Sequence, residues 1–196
     1  MKIPIFPLNG AIMFPKTNLP LNIFEKRYID MIDYSFTQNR IIGMVQKKDN
    51  DELYDIGCYG KINVFNETPD KRYLINLEGL NCFRIIKEIS TSHEFRMCEI
   101  DIIDSFNNDK IKEELKPKVL ESFKKYNQIR NINLNLDDFS ELNILDLLKL
   151  IVMISPFDVK VKQMFLELKS NTELCDSVLS TLEIELASTQ EATSIN

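Results

Sequence analysis

The chain has 196 residues with 44% hydrophobic and 28% charged side chains, enough for one large or two small globular domains, and a formal net charge of −6. The acidic balance opposes nucleic-acid binding, where neutralising phosphates supplies most of the affinity. No apolar run approaches the ~20 residues of a membrane span, and one histidine without a CxxC pair assembles no zinc site of usual spacing.

The chain opens on Ile3-Pro4-Ile5-Phe6-Pro7-Leu8. Ile3 and Ile5 fall on one face of an extended segment, Phe6 and Leu8 on the other. Pro4 and Pro7 cannot donate ladder hydrogen bonds, which predicts an edge or interrupted strand. The loop Ile12-Met13-Phe14-Pro15-Lys16 follows. Pro20 predicts a turn, and Asn22 with Glu25 three residues on predicts a helix cap. Phe24, Tyr28, Met31, Ile32 and Phe36 then form one buried helical stripe. Short strands are predicted over Arg40–Gln46 and Gly57–Asn66, with Gly57 and Gly60 marking a bulge or a close backbone approach. Thr68-Pro69-Asp70-Lys71 reads as a turn. Alternation from Tyr73 to Glu78 stops at Gly79, resumes at Phe83–Ile86, and Phe95–Ile103 closes the series. This many short strands with one helix predict a small, strongly bent barrel.

From about residue 108 the period becomes helical. Pro117 places a helix start or kink, with Val119, Leu120, Phe123 and Tyr126 on its apolar side. Asn127–Asp138 is a polar connector, and Ser140 is the expected cap of the next helix. Leu142–Ile154 is apolar on most faces, as at the centre of a bundle. Ser155-Pro156-Phe157-Asp158 reads as a further helix start. Leu174, Val178, Leu182 and Leu186 make a last stripe, and Ala187–Asn196 a frayed tail. The predicted fold is α+β: a barrel over 1–105 with one inserted helix, a helical bundle over 106–190, a tail over 191–196, and a junction near 104–110.

Several of these stretches carry a resemblance. Pro20-Leu21-Asn22-Ile23-Phe24-Glu25-Lys26-Arg27-Tyr28-Ile29-Asp30-Met31-Ile32, behind the Pro-punctuated opening, resembles the start of the Lon-protease N-terminal domain, the substrate-recognition module of ATP-dependent Lon proteases. Leu53-Tyr54-Asp55-Ile56-Gly57-Cys58-Tyr59-Gly60-Lys61-Ile62 is similar to a glycine-containing strand of that family. Ile75-Asn76-Leu77-Glu78-Gly79 with Phe83-Arg84-Ile85 is similar to the segment after it, with Asn81-Cys82 standing where an arginine is common. The resemblance is specific over residues 1–90 and looser beyond, where Leu147–Leu168 is comparable. It implies a PUA-like pseudo-barrel joined to a helical bundle. It also implies unfolded, misfolded or degron-bearing polypeptides as partners, and a protease or chaperone as the machine served.

A catalytic set does not emerge. There is no GxxxxGK[ST] loop, so the Lon ATPase motor is not encoded in these residues, nor is a serine in the context of the family's proteolytic motif. Ser122 and Lys125 form a lone SxxK that places both groups on one helix face, without the supporting elements of a Ser–Lys enzyme. His93 has Cys82 and Cys98 as formal nucleophile partners, but it falls at an expected hairpin tip. Asp137-Asp138 and Asp49 with Asp51 read as solvated turns rather than metal sites. Lys110–Arg130 carries seven basic residues against three acidic ones, a solvated helix face or a contact for an acidic partner. Cys58, Cys82, Cys98 and Cys175 are expected as reduced thiols of a cytoplasmic protein, and no secretory signal is recognisable. The expected function is non-catalytic polypeptide recognition without cofactor or metal. The expected contact surface is Ile12, Met13, Phe14 and Lys16, where exposed Met and Phe would suit promiscuous binding. Ile12 and Phe14 as a continuation of the barrel core is the competing reading. A minimal peptidase or hydrolase, and RNA or small-molecule binding by the barrel, are the alternatives.

Overall fold

The computed structural model describes residues 1–103, 109–132, 134 and 139–194. The chain divides into two compact units, Met1–Ser105 with Pro156–Glu167, and Phe106–Ser155 with Leu168–Asn196. Residues 104–108 of the expected junction near 104–110, and Asp137-Asp138, lie outside the described residues.

The first unit is built on a six-stranded sheet: β1 (Lys2–Pro7), β2 (Asn18–Ile23), β3 (Ile41–Val45), β4 (Ile56–Glu67), β5 (Tyr73–Ile89) and β6 (Arg96–Ile103), with helix α1 (Lys26–Phe36) between β2 and β3. The order is β2-β5-β4-β3-β1-β6, and β5 also pairs with β6. The second pairing closes β5, β4, β3, β1 and β6 into a barrel and leaves β2 outside the ring, hydrogen-bonded to the first half of β5. β5 serves two sheets' worth of neighbours because it is 17 residues long. Ile3, Ile5, Val45, Tyr59, Phe83, Cys98 and Ile100 fill the interior.

Three expectations change here. β1 is central, not an edge: Ile3, Pro4, Ile5 and Phe6 are all buried, between β6 on one side and β3 on the other. Pro4 is tolerated because the ladder with β3 begins only at Ile5. Pro20 and Asn22 belong to β2 rather than to a turn and a cap; α1 begins after Glu25, whose side chain makes no capping bond. Gly79 does not interrupt β5 but admits another backbone. A Cβ there would lie 2.2 Å from the carbonyl oxygen of Phe14, so only a glycine lets the loop before β2 cross this close. Gly57 and Gly60 are close approaches as expected, with a register shift at Tyr59/Gly60.

Helix α4 (Val159–Glu167) belongs to this same unit, which removes Pro156–Glu167 from the bundle expected over 106–190. Hydrogen bonds explain the assignment. Gln46 Nε2 donates to the carbonyl of Val159 (3.0 Å) and to Gln163 Oε1 (3.2 Å), Gln163 Nε2 donates to the carbonyl of Ile56 (3.1 Å), and Lys162 Nζ to that of Gly10 (2.7 Å). The helix starts later than Ser155 predicts: Ser155 closes the preceding helix, and Asp158 Oδ1 accepts from the Lys160 N–H at 2.8 Å.

In the second unit, a 3₁₀ turn (Glu113–Leu115) leads into α2 (Lys116–Ile129), with Pro117 in the first turn as predicted. α3 (Ile144–Ile154) is capped by Asn143, whose Oδ1 accepts from the Asp146 N–H at 2.9 Å, not by Ser140. α5 (Asn171–Ser194) runs into the expected tail as far as Ser194. Polar composition over Ala187–Ser194 is not a stop signal; no Gly or Pro breaks the helix there.

Candidate functional site

The arrangement of β1, β2 and α1 leaves a groove. Leu19, Leu21 and Ile23 of β2 turn toward the barrel, with Ile23 buried, and the chain then passes straight into Glu25 in extended conformation. Phe24 is therefore out of phase with both the strand and the helix, and it projects with 68% of its surface exposed. Across from it run Phe6 and Pro7 of β1, then Leu8 and Asn9. Together with Pro20–Glu25, Arg27, Tyr28 and Lys47 they line a groove of about 560 Å³. Its far side is pinned by the Leu8 N–H donating to the Val45 carbonyl at 3.0 Å, and by the Lys47 N–H donating to Asn9 Oδ1 at 2.8 Å. The Phe6 and Tyr28 rings meet edge-on at 4.5 Å and fix the base of α1 against β1.

The rim is charged, and its charges are engaged with one another. Arg27 donates two bonds to Glu25 Oε2, at 3.0 and 2.7 Å, which raises the guanidinium pKa, and its guanidinium lies 4.7 Å from the Tyr28 ring centroid. Lys47 Nζ donates to Asp51 Oδ1 at 2.6 Å, and that hydrogen bond holds the Asp51 carboxyl below its ordinary value. Such a site offers apolar contacts from Leu8 on one side and from Leu21 and Phe24 on the other, and a polar rim with little unpaired charge. That suits apolar, sequence-tolerant contacts better than recognition of an anion.

The loop expected to make contact lies elsewhere. Ile12, Met13 and Phe14 are buried, Met13 and Phe14 completely, against the glycines of β4 and β5. Their side chains belong to the core and present no apolar surface. Lys16 is exposed, with φ 65°, and does not line the groove. The expected buried stripe includes Phe24 because a helix starting at Asn22 turns it inward; β2 instead runs to Ile23 and α1 begins only at Lys26. The signal that locates it is the alternation of Leu19, Leu21 and Ile23, which makes the next residue point outward.

The other candidates do not converge into a reactive set. Lys125 Nζ pairs with Glu121 at 2.7 Å rather than with Ser122. The His93 ring stacks on Phe95 at 4.5 Å and lies 5.0 Å from Tyr34. Cys98 is buried, and burial pushes its thiol up to about 11, the opposite of an activated nucleophile. In the basic stretch, Lys118 faces Glu183 at 3.7 Å, Arg130 pairs with Glu185, and Lys116 Nζ donates to the Ser140 carbonyl, so much of its charge is answered within the unit. Among the described residues no group of three or more His, Cys, Asp or Glu is placed to hold a metal ion, and no helix is long and apolar enough to cross a membrane.

The model of the ATP-dependent protease La (LON) substrate-binding domain matches residues 2–183. The chain belongs to this family. The Lon protease of Buchnera aphidicola subsp. Schizaphis graminum is 26% identical over 202 residues, covering 95% of this chain and 25% of its own length. The Lon protease of Dictyoglomus thermophilum is 26% identical over 108 residues, covering 52% of this chain and 14% of its own length. The chain thus spans a quarter or less of the length of these Lon proteases. Two solved structures share the fold of this Lon substrate-binding domain. The Lon N-terminal domain protein from Xanthomonas campestris has a TM-score of 0.67 at 15% identity, covering 92% of this chain and 98% of its own. The N-terminal domain of the Mycobacterium avium complex Lon protease has the same score and identity, covering 93% and 98%. The resemblance carried by Pro20–Ile32 and Leu53–Ile62 is thereby confirmed at the level of family, as is the α+β fold with a C-terminal helical part.

Proposed function

We propose that this chain is a non-catalytic recognition module that captures unfolded or degron-bearing polypeptide in the groove between β1 and β2, for delivery to an ATP-dependent protease. The observation that carries the reading is Phe24: a large aromatic side chain held mostly exposed on the rim of a groove of mixed apolar and polar lining, in a domain of the Lon substrate-binding family. Exposed hydrophobic segments are what distinguish an unfolded chain from a native one, so apolar contacts of low sequence specificity select for the unfolded state. The non-catalytic part of the reading is supported by the separate engagement of Lys125, His93 and Cys98 described above.

The affinity should be micromolar or weaker, because ordering a flexible chain costs about 2–5 kcal/mol. It should also depend little on salt, unlike phosphate binding. The test is fluorescence anisotropy with labelled, reduced and carboxymethylated α-lactalbumin, which is permanently unfolded. Phe24→Ser should weaken binding by about tenfold, the loss expected for one buried aromatic anchor. Its thermal midpoint should stay close to that of the parent chain, because the side chain packs little in the free protein. Parent-like binding by Phe24→Ser would move the site away from this groove.

A further inference from the structure

We propose that the guest polypeptide is held as an added β-strand on the outer edge of β2, by main-chain hydrogen bonds to Pro20 and Asn22. This rests on the reading of the groove as a polypeptide site. β2 ends the strand order, and among the described residues it pairs with β5 alone. The phase of its hydrogen bonds follows from the residues just before it. The Lys16 N–H donates to the Gly79 carbonyl at 2.8 Å, and the Gly79 N–H donates to the Thr17 carbonyl at 2.8 Å. Antiparallel strands alternate between residues that exchange both main-chain bonds with the partner and residues that exchange none. Counting on from Thr17, residues Leu19, Leu21 and Ile23 bond to Leu77, Ile75 and Tyr73, while Asn18, Pro20 and Asn22 direct their main-chain groups away from β5.

Pro20 agrees with this phase, because an outward position asks it for no N–H toward β5. The groove lies along this same outward side. Pro20, Leu21, Asn22 and Ile23 line it, and no residue of β5 does. The Pro20 carbonyl, the Asn22 N–H and the Asn22 carbonyl therefore face the groove at the two-residue repeat of a strand. Donors and acceptors in that spacing are complementary to an extended peptide backbone and to little else. Exposed edges are usually blocked by charge, proline or a covering element. Here Pro20 removes one donor, and the residue that overhangs the edge is the apolar Phe24. Main-chain bonds carry no sequence information, so this mode supplies affinity for many different unfolded segments, with Leu21 on one face of β2 and Phe24 on the other offering apolar contacts to the guest's alternating side chains.

Amide hydrogen exchange followed by NMR tests the proposal, with reduced and carboxymethylated α-lactalbumin as the probe. The Asn22 amide should exchange rapidly in the free protein and at least about tenfold more slowly in the saturated complex, as one new hydrogen bond requires. The Leu21 and Ile23 amides should be protected in both states. Asn22→Pro, which deletes the outward donor while leaving the bonds to β5, should weaken binding by about tenfold. If the probe binds and shifts the Phe24 resonances while Asn22 exchanges at its free rate, strand addition is overturned and the groove stands. If the probe does not bind the parent chain, the underlying reading falls with it. Should Asn22→Pro fail to fold, the exchange rates decide alone.

Discussion

Met13, Phe14 and Phe24 are chemically alike and differ in what surrounds them. Met13 and Phe14 are fully enclosed, and the Phe14 carbonyl passes over Gly79 so closely that no side chain fits between. Truncation there removes transfer free energy, leaves a cavity and buries a hydroxyl. Met13→Ser and Phe14→Ser should each cost about 2–5 kcal/mol. Urea unfolding would read this as a lowered midpoint with an unchanged slope. Phe24→Ser, with most of its ring in solvent, should fall within about 0.5 kcal/mol of the parent. The contrast separates the loop that builds the barrel from the residue that meets a guest.

At the level of elements, the start of α5 shows how a helix end is satisfied from a distance. Ser170 Oγ accepts from the Glu173 N–H at 3.0 Å, and Glu173 Oε2 accepts from the Lys169 N–H at 3.0 Å, a variant of the capping box. Asp109 adds a second cap from far along the chain. Its carboxylate accepts from the Asn171 N–H at 2.9 Å, from the Thr172 N–H at 3.0 Å and from the Thr172 hydroxyl. The bond from the Thr172 hydroxyl is the main reason its pKa lies below the ordinary carboxylate value. Because the folded-state value is the depressed one, the stability it contributes is fully present above the unfolded-state value of about 3.9 and is lost as pH falls through the folded value. Asp109→Asn should therefore lower the urea midpoint of the helical signal at neutral pH. Its own acid sensitivity below about pH 4 should be flatter than that of the parent chain. Equal acid profiles for the two proteins would show that Asp109 makes no such contribution.

For the whole molecule, the consequence lies in connectivity. The barrel unit is completed by α4, which comes from beyond two helices of the other unit. Gln46, the Ile56 carbonyl and the Gly10 carbonyl lose partners when residues 156–167 are removed. A fragment of residues 1–105 should thus unfold at lower urea than the barrel within the full chain. With three or more net hydrogen bonds gone, at about 1 kcal/mol each, the loss should be several kcal/mol. Adding a synthetic peptide of residues 156–167 should restore part of it by mass action. A fragment as stable as the full chain would show that α4 is dispensable to the barrel.

Local patterns carried much of this protein. Alternation from Tyr73 located the start of β5, glycine spacing flagged the close approaches at Gly57 and Gly60, and Pro117 marked the start of α2, because each depends on a residue and its immediate neighbours. The family resemblance was likewise written in contiguous stretches. Whether Pro4 sits on an edge, whether Met13 and Phe14 face water, and to which unit Pro156–Glu167 belongs depend on partners tens of residues away, which no local pattern encodes. The groove draws on both: the alternation of Leu19, Leu21 and Ile23 is local, while the ladder that holds it in place is not. Phe24 is exposed because β2 continues to Ile23 on its ladder with β5, and that pairing, between segments about fifty residues apart, sets the phase of every side chain and main-chain group at the site.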